Sequence, residues 1–120
     1  MMYVLALLGA VTLTPTEQAM VDNVNAARQA AGLPALKVET IIQEGTRKHA
    51  SWMAARRSMT HASGWCENIA TGQRSCWSVH TTWMNSGGHR ANILRRGVTT
   101  LGVAAYQVGN GTIYWCMRVR

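Results

Sequence analysis

Acidic residues run out early in this chain. Only five of its 120 residues are Asp or Glu (Glu17, Asp22, Glu39, Glu44 and Glu67), and none follows Glu67. A carboxylate-caged calcium site in the second half is therefore excluded. Any mechanism built on two carboxylates must pair Glu67 with an acid from the first half. Phenylalanine is absent altogether, so aromatic core volume has to come chiefly from five tryptophans. No CxxC pair exists among Cys66, Cys76 and Cys116, which removes zinc-ribbon and thioredoxin-type readings. One disulfide with one free thiol, or three buried thiols, both fit that count. Neither a P-loop signature nor a G-x-S-x-G elbow occurs.

Basic and apolar residues are what the chain does have. Apolar types make up 48%, enough for one packed domain. Twelve Lys and Arg against five acids leave a net charge of +7, which points to an anionic partner such as a lipid surface or a wall polymer. Nucleic acid is not the expected partner, because the cations are scattered and no zinc-finger or RNP pattern accompanies them. Residues 1–13 carry no charge and are too few to span a bilayer. They resemble the apolar core of a signal peptide, with Gly9-Ala10 near its end, but lack a basic flank and an A-x-A site. A leader remnant and an N-terminal arm on the domain both fit them.

Element signals follow in order. Thr14-Pro15-Thr16-Glu17 is a capping box with proline at the first helical position, and predicts a helix over 15–31 that Gly32 and Pro34 end. A second helix is expected over 39–57, with Ile41, Ile42, Gly45, His49, Trp52 and Met53 as its apolar stripe. Residues 58–72 show no clear period and read as a loop with one short strand at most. Ser75 caps a third helix over 76–86, with Val79 and Trp83 inward, and a short turn of helix fits His89–Leu94. The runs 101–106 and 112–117, separated by Gly109-Asn110-Gly111, predict a closing hairpin. Helices first and strands last give an α+β class.

Candidate chemistry gathers on His61, Glu67 and His89, which fall in segments that a scaffold presents into a cleft. Two imidazoles and one carboxylate are a plausible three-ligand set for a divalent ion. The same groups can instead perform acid–base work near neutral pH. His49 lies on the apolar stripe and is expected to be a satisfied core histidine, whereas His80 is expected at the surface. Trp52, Trp83 and Trp115 are expected in the core. A Cys66 nucleophile is disfavoured by its acidic neighbour Glu67.

Cys66-Glu67-Asn68-Ile69-Ala70-Thr71-Gly72-Gln73, followed by Trp83-Met84-Asn85-Ser86-Gly87-Gly88-His89-Arg90-Ala91-Asn92-Ile93-Leu94, resembles the CAP superfamily. That is the family of cysteine-rich secretory proteins, antigen 5 and pathogenesis-related proteins, here in its compact bacterial SCP-like form. Asn25-Ala26-Ala27-Arg28, His49-Ala50 with Trp52-Met53-Ala54, and Leu101-Gly102-Val103-Ala104 extend the resemblance over residues 14–120. It implies a three-layer α-β-α sandwich. It also implies a cleft of two histidines and two acids that holds zinc or another divalent ion in some members. His61, Glu67 and His89 match three of these four; Ser86 stands where animal members carry the second acid. Asn68 and Arg90, within the same strings, are further expected binding residues. The expectations are a monomeric extracellular, periplasmic or cell-envelope domain that binds a ligand, with a weakly held divalent ion on His61 and His89. A lipid, a wall polymer or another anion is the expected ligand. The competing expectation is a metal-assisted, peptidase-like hydrolase with Glu67 as general base.

Overall fold

Thr14 opens the first helix as its sequence predicts. In the computed structural model, which describes residues 11–120, its hydroxyl accepts from the Glu17 N–H at 3.1 Å while its own N–H donates to the Glu17 carboxylate at 2.9 Å. Helix α1 spans Pro15–Ala30, and Gly32 (φ 74°) follows its end. The pair Lys37–Val38 forms a short strand β1 that local pattern does not announce. It is held because the Asn25 amide both donates to and accepts from the Leu36 backbone. Helix α2 covers Thr40–Arg56, with the Glu39 carboxylate accepting from the N–H groups of Ile41 and Ile42.

Strand β2 (Cys66–Thr71) is the one strand within 58–72, the stretch that reads as a loop. Helix α3 spans Cys76–Met84 behind its Ser75 cap, and α4 spans Gly87–Ile93. The hairpin consists of β3 (Thr100–Gln107) and β4 (Ile113–Val119). The sheet order is β1-β3-β4-β2, parallel only between β1 and β3.

Strand alternation divides the residues into two cores. On one face Leu101, Val103, Trp115, Met117 and Val119 pack with Met20, Val21 and Val24 of α1, Val79 and Trp83 of α3, and Ile93 of α4. On the other face Ile69, Ala104, Tyr114 and Cys116 pack with Ala50, Met53 and Ala54 of α2. The result is the three-layer α-β-α sandwich. Residues 1–10, which carry most of the leader-or-arm segment, lie outside the described residues. Leu13 packs against the first core, and the Thr12 carbonyl accepts from Arg47 at 2.7 Å.

Two expectations are corrected, the first where α2 approaches the sheet closely. A Cβ at Gly102 would lie 2.6 Å from the Thr46 hydroxyl and 2.7 Å from the Ile42 carbonyl. The helix turns Ile42, Gln43, Thr46, Ala50, Met53 and Ala54 inward, whereas the Trp52 indole sits at its edge, 37% exposed, and Ile41 faces solvent. Gly102→Ala is expected to cost about 1–3 kcal/mol, because its new methyl meets helix backbone and not a flexible chain end. A urea midpoint unchanged from wild type would contradict that approach. His80 is the second correction. It is buried and not at the surface, because the exposed Trp77 ring covers it with centroids 5.6 Å apart.

Candidate binding site

Glu67 and Arg118 face each other across β2 and β4, on the side covered by α2. The register puts the Arg118 Nε 2.8 Å from one Glu67 oxygen, with both side chains buried. Gly45 gives the guanidinium room, since a Cβ there would come within 3.4 Å of Nη1. The other Glu67 oxygen accepts from the Ala62 N–H at 3.1 Å and lies 2.9 Å from His61 Nδ1. His49 Nε2 stands 3.9 Å from that same oxygen. One buried carboxylate therefore gathers an arginine, a backbone amide and two imidazoles.

These contacts set the histidine tautomers. A carboxylate only accepts, so His61 carries a proton on Nδ1 and, when neutral, offers Nε2 as an acceptor. His61 is well exposed, with 59% of its side chain accessible. His49 donates from Nε2 to the Thr60 carbonyl at 2.7 Å and stacks on Trp52. It is satisfied, as expected, but it forms a cleft wall and not the centre of a core.

His89 enters from the other side of the sheet edge. It sits in the first turn of α4, with Nδ1 2.9 Å from the Ser86 hydroxyl. Burial, and then the neighbouring charge of His61, hold its pKa below the ordinary histidine value. Three amide contacts bolt α4 to β2. Asn68 donates to the His89 carbonyl at 2.9 Å, and Asn92 donates to the Asn68 amide oxygen at 2.9 Å and to the Glu67 carbonyl at 3.3 Å. The Cys66 thiol donates to Asn92 Oδ1 at 3.1 Å.

Two clefts open on either side of His61. One, of about 360 Å3, is lined by His61, Glu67, Ser86, Gly88, His89 and Asn92. The other, of about 470 Å3, is lined chiefly by Lys48, His49, Trp52, Thr60, His61 and Arg118.

Comparison with known proteins agrees with the fold. Residues 21–119 match the model of the cysteine-rich secretory protein family. The chain belongs to the CAP family. It is 30% identical over 112 residues to the uncharacterized protein YkwD of Bacillus subtilis, covering 78% of this chain and 44% of that protein. An extracellular SCP-domain protein of Bacillus anthracis superposes with a TM-score of 0.76 at 25% identity, over 92% of this chain and 45% of that one. An outer surface protein of Borrelia burgdorferi gives 0.77 at 15% identity, over 89% and 96%. The chain thus spans less than half the length of the two Bacillus proteins.

Within this CAP domain the expected site residues take different places. His61, Glu67 and His89 do converge on one cleft. Asn68 is fully buried and serves as the tie described above. Arg90 is exposed on α4 and does not line the cleft. Arg118 and His49 are the residues that local reading misses. The metal expectation does not fit the side chains present. Among the described residues no group of three or more His, Cys, Asp or Glu is placed to hold an ion. The Glu67 oxygens are turned to Arg118, Ala62 and His61. Ser86 supplies a hydroxyl to His89 where a carboxylate would be needed.

General-base work by Glu67 fares no better, since both oxygens are occupied and the group is 4% exposed. All three cysteines are free thiols. Burial pushes the Cys66 thiol up in pKa despite the offsetting Arg95 charge, so it is not an activated nucleophile.

Proposed function

We propose that this CAP domain is a non-catalytic binding module of the cell exterior, taking its ligand in the cleft between His61, Ser86 and His89. The observation that carries the reading is the state of Glu67. Its carboxylate is spent on holding Arg118, His61 and the Ala62 N–H, so the cleft presents two imidazoles and a hydroxyl but no free carboxylate. Such a surface offers a polar ligand hydrogen-bond partners at both imidazoles and at the hydroxyl. The external location is supported by the relatives named extracellular or outer surface proteins. It is also compatible with the helices, since none among the described residues is long and apolar enough to cross a membrane.

The test is a titration of the isotope-labelled chain with soluble cell-envelope polymer, read by amide chemical shifts. Shifts centred on Ala62, Gly88 and His89, and abolished in His61→Ala/His89→Ala, are expected. Shifts confined to other faces would refute the assignment. So would peptidase or esterase turnover by the wild-type chain that is lost in His89→Ala.

A further inference from the structure

The arginine surplus of the second half is not in the histidine cleft but beside it. A separate cleft of about 480 Å3 is lined by Gly64, Trp65, Cys66, Arg95, Arg96, Gly97, Val98, Val119 and Arg120. Its wall is shared with the histidine cleft through the Cys66–Asn92 contact. The two clefts nevertheless differ in charge: this one holds three guanidiniums.

Among the described residues those guanidiniums pair with no side-chain carboxylate. Glu17 pairs with Arg47, Glu67 pairs with Arg118, and Glu39 caps α2. Among the described residues no ion pair involves Arg95, Arg96 or Arg120. Residues 1–10 contain no acid that could supply one. Three like charges around one depression repel each other, and an anion between them relieves that repulsion.

The cleft is also organised and not merely a ragged basic edge. The Arg120 guanidinium lies over the Trp65 ring at 4.5 Å, and Arg118 lies over it at 4.9 Å. Arg118 is fixed in turn by Glu67. The Arg95 carbonyl accepts from the buried Arg28 at 2.7 Å, which anchors the backbone from which Arg95 and Arg96 project. Gly64 (φ 82°) and Gly97 (φ 80°) turn the two rims of the cleft.

From these observations we propose that the Trp65–Arg95–Arg96–Arg120 cleft is a phosphoryl-binding site, distinct from the histidine cleft. Three guanidinium forks exceed what one carboxylate can accept with two oxygens. A phosphate monoester offers three acceptor oxygens and nearly two charges at pH 7, and matches the forks better. The phosphoryl group arrives either on a small molecule or on a lipid headgroup.

The full chain is titrated calorimetrically with glycerol phosphate, and its co-sedimentation with vesicles containing phosphatidic acid, whose headgroup is a phosphate monoester, is measured in parallel. Arg95→Gln/Arg96→Gln is compared with the charge-matched control Arg57→Gln/Arg74→Gln, which lies elsewhere. Saturable binding weakened at least about tenfold in the first variant, and left within about twofold in the control, is expected. Binding of glycerol phosphate assigns the small-molecule source, and vesicle binding alone assigns the headgroup. Retention of that binding in His61→Ala/His89→Ala separates this site from the histidine cleft; loss there would merge the two and overturn the proposal. No binding in either arm, or equal losses in both arginine variants, would also overturn it. Urea midpoints measured for every variant separate lost binding from lost folding.

Discussion

Arg118→Met is expected to destabilise the domain by about 3–5 kcal/mol, the range for breaking a buried ion pair from one side. The side chain is 6% exposed and its partner Glu67 1%. Methionine keeps much of the apolar stem but removes the donor that satisfies one Glu67 oxygen. The carboxylate then stays buried with the Ala62 N–H, the two imidazoles and, at 3.7 Å, the Cys116 thiol near it. Loss of the guanidinium also removes one side of the Trp65 stack. Adding Glu67→Gln to Arg118→Met removes the stranded charge while keeping a carbonyl for the Ala62 N–H. The double variant is therefore expected to be more stable than the single one, a coupling that a double-mutant cycle measures. Urea denaturation of wild type, both singles and the double decides the matter. A single-variant loss below about 1 kcal/mol would show that the pair is not an uncompensated buried charge when broken.

That ion pair also marks the limit of what was legible in the sequence. Capping and turn chemistry are local, so Thr14, Ser75 and the Gly109-Asn110-Gly111 turn announce α1, α3 and the hairpin within a residue or two. Strand β2 is harder. Glu67 and Asn68 are adjacent, polar and buried on opposite faces, and an alternation rule assigns polar residues to solvent. They are tolerated inside because each is satisfied: Glu67 by Arg118, and Asn68 by the His89 carbonyl and the Asn92 amide. Both sets of partners are remote, and Arg118 stands 51 positions from Glu67. No window along the chain contains that pairing. The family resemblance did place His61, Glu67 and His89 together, because it carries tertiary information in its motifs. It did not show that Glu67 is turned to an arginine and away from the cleft. The same reasoning explains Trp52. Its helical phase is apolar, but the ring lies at the helix edge between His49 and Arg56, a placement that periodicity does not show.

Arg28→Leu is the second large effect, expected at about 3–4 kcal/mol. Arg28 is a last-turn residue of α1 and is 1% exposed. Among the described residues it has no carboxylate partner. Its guanidinium instead donates to three backbone carbonyls: Pro34 at 2.8 Å, Ile93 at 3.1 Å and Arg95 at 2.7 Å. One side chain thus closes the exit of α1 and the end of α4 together. Leucine restores the apolar volume but leaves those acceptors without a donor, and each buried orphan costs roughly 1–3 kcal/mol. Two of the three contacts are only part-buried, so water replaces some of the loss and the total stays below the sum. Arg28→Lys tests the geometry, because an ammonium keeps the charge but cannot fork across carbonyls on two separate segments. It is expected to recover less than half of the leucine loss. Hydrogen exchange adds a local readout. Amides of Arg95–Val98 should exchange faster in Arg28→Leu than the overall destabilisation accounts for, since their anchor is gone. Uniform acceleration across α1, α4 and the sheet would mean that Arg28 contributes only global stability. The arginine-lined cleft would then owe its shape to Trp65 and not to this buried fork.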